Sequence, residues 1–423
     1  SIADGVTVSM SGSVASGQTL LGTGSVNVTN VTSTTDLSNV TSTGSKNTTV
    51  ANNLNFSGDF GAGFTINVEE ASTLTIDALK ANTQTITGGG SVAVNNLQSS
   101  PSADLSSISA NSVSATVSGS DDVVFSATAK LGKTAITVDN GASTAFSLGV
   151  DFGTSTVSVS AGSTVVLTVG QAEALSANGI ITGAAAGGGE PAANVYVNTG
   201  DVLSSTGGPS EFTTTVKFDL EGGTLTFDLP EDGNDVLTLS ADSAIDLGGG
   251  TLVVDSGDLD VINLANSDQF AGIDNVIVNS GLTLSASQLK DLTEDGDLNV
   301  DSSGSGSLVV EVTSEADIAE VQAAMSLLET ESGLPAIGVE ASEEAKAGSD
   351  TAKAALDTAL SDAASTIAEN AGVSVSVTKT DGGVILVAPS LTISDADDAS
   401  GLLRVDGQGS NALPSFEVLL PND

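Results

Sequence analysis

The chain has 423 residues, with 10 basic against 53 acidic side chains, a formal net charge of -43, and no cysteine, histidine or tryptophan. Neutralising phosphates takes clustered Lys and Arg, so this balance speaks against a nucleic-acid partner and against anionic membrane surfaces. The missing Cys and His exclude disulfide staples, thiol catalysis, a Ser-His-Asp triad and the usual zinc sites.

High charge alone would suggest disorder, but a hydrophobic content of 39% with regular Val, Ile and Leu alternation marks a folded chain. No charged-then-apolar signal peptide opens the sequence, and the opening Ser1-Ile2-Ala3-Asp4-Gly5 fits either a cleaved signal or loss of an initiator Met before a small Ser. No stretch reaches the apolar length needed to span a bilayer, so no membrane insertion is expected. From Gly5 to Val312 the pattern is short alternating segments, among them Val6–Met10, Phe64–Val68, Val157–Val159, Leu225–Leu229, Leu252–Val254 and Val276–Val278. Each has period-two hydrophobicity and is bounded by Gly, Asn, Asp or Ser, which predicts strands and turns.

These strands repeat. Gln18–Val28 reads QTLLGTGSVNV and Gln84–Val94 reads QTITGGGSVAV; Asp36-Leu37-Ser38-Asn39-Val40 then returns as Asp104-Leu105-Ser106-Ser107-Ile108, with two extra residues near Pro101. A Leu-Thr strand running into a short apolar-periodic turn recurs from Leu74 to Leu79, Leu167 to Leu175 and Leu282 to Leu292. Self-similarity of this kind predicts an all-β fold, a parallel β-helix or β-solenoid over most of the chain, with a small C-terminal α+β domain. Coils of about 20 residues would number some 15, with inward Val, Ile and Leu stacked at a rise of roughly 4.8 Å and Asn amides laddered between coils. A string of β-sandwiches is the alternative; against it, Trp is missing and Tyr196 stands alone. Gly88–Gly90 and Gly248–Gly250 lack the Lys-Ser/Thr ending of a phosphate loop and read as tight corners.

Gly183–Pro191 and Gly207-Gly208-Pro209 are loop or linker candidates, so the expected boundaries are a Ser/Thr/Asn-rich solenoid over 1–190, an Asp/Leu-rich continuation over 191–312, and the α+β domain over 313–423. In that last domain Ser314–Leu328 reads as a capped amphipathic helix, Ser342–Asn370 as Ala-rich helix, and Val373–Val377 with Val384–Val387 as a hairpin around Asp381-Gly382-Gly383. Its role is either to cap an open solenoid end or to oligomerise through the Ala-rich helix face.

For metals, Asp295, Asp297, Asn299 and Asp301 space oxygen side chains two apart, like the start of a calcium loop, though the loop's Gly and closing bidentate Glu are absent. Asp255–Asp260 and Asp395–Asp398 are weaker versions, and each cluster taken singly reads first as a solvated turn. Ca²⁺ is the one expected cofactor, for its effect on the charge as much as for any single site. No catalytic or cofactor-binding residue is assigned, since 53 acids make carboxylate pairs uninformative and sugar-binding aromatic platforms are nearly absent.

The run Gln84–Ile108, with its glycines, SVAVNNL and ADLSSI, resembles repeats of very large bacterial surface and adhesin proteins of surface-layer type, and segments of tailed-phage fibres and virion appendages. The resemblance covers roughly the first 300 residues. It implies a β-solenoid exposed outside the cell, on the cell surface or on a virion, and carries over no site residue. The expectation is a non-enzymatic structural protein, a homo-oligomer or polymer forming a fibre, layer or appendage, with a surface glycan or another structural protein as further partner. The alternatives are an adhesin or receptor-binding fibre that binds host glycans, or a phage-type polysaccharide depolymerase.

Overall fold

Alternation of β-branched and small polar residues makes strands that bury one face and leave the other in water, and in this chain those strands pair in parallel with the strands one turn before and after. The result, in the computed structural model, is a parallel β-solenoid of about 11 turns, fewer than the 15 that coils of uniform length would make. The structure describes residues 1–119, 122–139, 141–187, 190–198, 211–229, 236–256, 261–265, 267, 269–278, 281–285 and 287–290. Beyond these it describes the strand backbones Leu298–Asn299, Ser307–Val312, Ile337–Ala341, Val377–Thr380, Gly383–Leu386 and Phe416–Leu419. The chain divides into two compact units, Ser1–Leu167 with Ala174–Val195, and Thr168–Glu173 with Tyr196–Asp423.

In the first unit one face of the solenoid runs through the parallel strands Thr7–Ser11, Ser25–Thr29, Lys46–Val50, Phe64–Val68 and Thr85–Thr87. A second face runs through Leu54–Phe56, Thr73–Asp77, Ser91–Asn95, Ser112–Ser118, Ala135–Asp139, Thr156–Val159 and Ile181–Gly183. Coil length is read from the register: Thr73 lies opposite Ser91, Ser91 opposite Ser112, Ala135 opposite Thr156. Inward residues form columns, one of which is Phe56, Ile76, Val94, Ala115, Ile136 and Val157, all buried. Each full-sized member of such a column contributes about 1.5–3 kcal/mol by leaving water. Phe125 and Phe146 stack from coil to coil, in register with ring centroids 5.1 Å apart, and within one coil Phe56 stacks on Phe60 at 3.8 Å.

The sequence repeat has a direct structural cause. In both copies a strand enters a one-turn helix, Thr7–Ser11 into Gly12–Ala15 and Thr73–Asp77 into Ala78–Ala81. The chain then pairs Leu20 with Val40 in one copy and Ile86 with Ile108 in the other. Gly22 and Gly88 sit at φ +119° and +115° against the backbones of Ile2 and Val68, where a Cβ would overlap main-chain atoms of the coil below. The repeated glycines are therefore points of backbone-on-backbone contact.

The recurring Leu-Thr segments also share a structure, each strand leading into a helix: Thr73–Asp77 into Ala78–Ala81, Thr164–Thr168 into Val169–Asn178, and Gly281–Ser285 into 287–290. Two of them are closed by reciprocal caps. The Gln171 amide N–H donates to Thr168 Oγ1 at 3.3 Å while the Thr168 N–H donates to Gln171 Oε1 at 2.9 Å. Ser285 and Gln288 repeat the arrangement at 3.2 and 2.9 Å. This is the capping box, read here from Thr or Ser followed three residues later by Gln.

The segment Gly183–Pro191 is a closed excursion: the Ala193 N–H donates to the Ala184 carbonyl at 3.0 Å, and Gly187 bridges Glu190. In the second unit Leu237, Ile262, Leu282, Leu308, Ile337 and Phe416 share one register row of parallel strands. Gly248–Gly250 forms a bend inside Ala244–Ser256, with register shifts between Asp246 and Thr251. Val377–Thr380 pairs antiparallel with Gly383–Leu386. The helices expected at Ser314–Leu328 and Ser342–Asn370 lie outside the described residues.

Candidate interaction surfaces

Five charged residues of the first unit form a column at one corner of the coils, while others, Asp4, Glu69, Glu70, Asp122, Lys133 and Glu190 among them, lie elsewhere. Asp36, Asp59, Asp104, Lys130 and Asp151 line it in that order, with the coil of Asn82 between Asp59 and Asp104; Asp36 bridges Asp59, and Lys130 bridges both Asp104 and Asp151. Each is followed by a buried apolar residue, Leu37, Phe60, Leu105, Leu131 and Phe152, and then by Ser or Gly. The carboxylates close Asx turns: Asp36, Asp59, Asp104 and Asp151 accept from the amides of Ser38, Gly61, Ser106 and Gly153 at 2.7–3.1 Å. The turn points the next side chain into the core and leaves the carboxylate outside, so one tripeptide sets both the packing and the charge of the corner.

Two lysines soften the repulsion along this ladder. Lys130 Nζ lies 3.3 Å from Asp104 and Lys80 Nζ lies 3.6 Å from Asp59. The Asp104 carboxyl is held below its ordinary range by the Ser106 hydroxyl first and also by the Ser106 amide and Lys130, with partial burial opposing. Asp36 is lowered in the same way by the Ser38 hydroxyl and amide. The expected amide ladder takes another form here. Asn82 Oδ1 accepts from the Asp104 N–H at 2.8 Å, and Asn178 Nδ2 donates to the Gly153 and Ser155 carbonyls. Because Asp, Asn and Lys alternate along the corner, each amide finds a backbone group of the adjoining coil rather than another amide.

The outward rows of the strand faces are, by contrast, almost free of charge. On the first face Ser9, Asn27, Asn47, Thr65 and Thr85 are in register over five strands, flanked by Ser11 with Thr29 and by Thr49, Asn67 and Thr87. The one charged residue within those strands, Lys46, occupies an inward register position between Val26 and Phe64. Its stem is half-buried and its ammonium donates to the Val40 and Ala62 carbonyls. On the second face the central row is Asn55, Thr75, Ala93, Ser114, Ala135 and Thr156, with Asp77 and Asp139 only at strand ends.

The second unit places carboxylates on its strands instead. Asp219 is in register with Asp246, and Asp228 with Asp255. Partial desolvation, and secondarily the Asp255 charge, raises the Asp228 carboxyl above its ordinary range. Asp246 also closes an Asx turn, accepting from the Gly248 amide at 3.0 Å.

Of the residues expected to hold calcium, Asp295, Asp297 and Asp301 lie outside the described residues, and Asn299 is described only as backbone, in the strand Leu298–Asn299 opposite Ile277. Among the described residues no three acidic side chains converge as a metal site, and no helix is long and apolar enough to cross a membrane. Sequence reasoning missed the corner ladder, although its signal, Asp or Lys followed by Leu or Phe and then Ser or Gly, is present five times in the first unit and again at Asp246-Leu247-Gly248. Comparison with family models, curated proteins and solved structures finds no match for this chain.

Proposed function

We propose that this chain is a non-enzymatic structural building block, an acidic β-solenoid that self-assembles into a fibre, layer or appendage outside the cell, at a cell surface or on a virion. The observation that carries the reading is the low charge of the strand faces: the first unit's carboxylates follow one corner or lie in turns and at strand ends, the second unit carries them on its strands, and the first unit keeps two broad strand rows of Ser, Thr, Asn and Ala. A catalytic or small-ligand protein concentrates convergent polar groups in a concavity; here the regular feature is a repeated flat face, which suits lateral contact. Cations, Ca²⁺ among them, relieve the repulsion of a chain at -43 when copies approach. The adhesin reading keeps one supporting observation, the excursion Ala184–Ala193, which leaves the coil and returns to it as a presented loop.

Sedimentation velocity of the purified chain tests the proposal. Association that grows with ionic strength and with millimolar calcium supports it, as does a melting temperature that calcium raises and EDTA lowers. A monomer at every concentration and salt tried removes it.

A further inference from the structure

We infer that the lateral contact between copies is made by the first face of the first unit, the rows Ser9, Asn27, Asn47, Thr65, Thr85 and Thr49, Asn67, Thr87, packed against the same rows of a second copy. The inference deepens the self-assembly reading and rests on it.

None of these eight side chains is buried, and each is a hydroxyl or an amide. Of the other charged residues of these coils, Asp4, Asp36, Asp59, Glu69, Glu70 and Lys80 lie off the strands, at turns, corners and one helix, and Asp77 ends a strand of the second face. Two copies carrying -43 each repel over about one Debye length, roughly 8 Å at physiological salt. They approach at lowest cost where the local charge is zero, and a like-charged meeting costs several kcal/mol.

The chemistry of the face also favours a second copy. Hydroxyls donate and accept, and the Asn amide does both with separate atoms. A face built of these groups is complementary to itself across a two-fold axis, as an isologous contact requires. The inter-coil step of roughly 4.8 Å is the same on both partners, so one aligned pair brings the rest into register. Five strands of about five residues cover on the order of 400 Å², half of the ~800 Å² per partner typical of a stable complex. A single isologous contact is then weak and pairs two copies, and growth beyond the pair takes a second, different contact.

The experiment compares two double variants by sedimentation velocity and light scattering at physiological salt: Asn47→Glu with Thr65→Glu on the first face, and Thr116→Glu with Thr137→Glu on the second. Each pair is in register on adjacent strands, and each adds the same charge. Circular dichroism melting checks that both remain folded. The first-face variant is expected to weaken association about tenfold or more, while the second-face variant associates as the unaltered chain does. If neither variant weakens association, if both do so equally, or if only the second does, this interface is wrong and self-assembly stands. If the unaltered chain does not associate, the interface and the reading beneath it fall together.

Discussion

Gly88 and Gly119 share a positive φ, +115° and +123°, but not an environment. A Cβ on Gly88 would lie 2.8 Å from Val68 N and 2.9 Å from Asn67 Oδ1, and closer still to the Val68 carbonyl oxygen; on Gly119 it would meet nothing within 4 Å. Replacing either by Ala carries the same conformational cost, about 1–3 kcal/mol for a side chain in that region, offset equally by the entropy lost from the unfolded chain. Gly88→Ala adds the cost of forcing two coils apart, about 1–3 kcal/mol as for other overpacked sites. Repeat arrays do not unfold in one step, so the assay is local: hydrogen exchange by mass spectrometry over Ser91–Asn95 for Gly88→Ala and over Ser112–Ser118 for Gly119→Ala. The extra cost converts to exchange faster by a further factor of about 5 to 150 in the first case. Equal acceleration in both variants would refute the claim that the repeated glycines are backbone-on-backbone contacts.

Three further outcomes follow from single side chains. The Asp104 carboxyl is lowered in the folded state, so it stabilises the fold above the ordinary carboxylate range and loses that effect as pH falls through its folded value. Asp104→Asn should cost about 0.5–1 kcal/mol at pH 7, with the gap to the unaltered chain closing in acid urea melts. Asp228 is raised, so its ionised form costs stability at neutral pH; Asp228→Asn should raise the melting temperature at pH 7 and lose that advantage once pH falls below the carboxylate range. Thr144 is fully buried between Val123 and Val165 in register, with no hydrogen-bond partner for its hydroxyl among the described residues. Thr144→Val should therefore stabilise by about 1 kcal/mol or more in denaturant titration; a loss would show that the hydroxyl is satisfied.

Much of the fold was legible because it is written in local patterns. Phe64–Val68 alternates and is a strand with that alternation facing in and out; the QT…GSV copies are locally equivalent coils; the Leu-Thr segments are strand-to-helix units. What escaped depends on register, which no single segment contains. Asp228 and Asp255 stand far apart in sequence and become neighbours only because one coil of the second unit separates them. The uncharged first face is likewise assembled from strands that each look ordinary. The Asp-Leu-Ser corner was seen twice, in Asp36–Ser38 and Asp104–Ser106, but its Phe-Gly and Lys-Leu-Gly forms at Asp59, Lys130 and Asp151 hide the repeat from identity matching. Their common property is a polar turn-former before a buried apolar side chain.

Electron microscopy of the untagged chain, with and without calcium, bears most directly on the central claim. Filaments, sheets or rings of regular repeat, more abundant as salt or calcium increases, are the predicted result. Separate single particles in every condition would contradict the account.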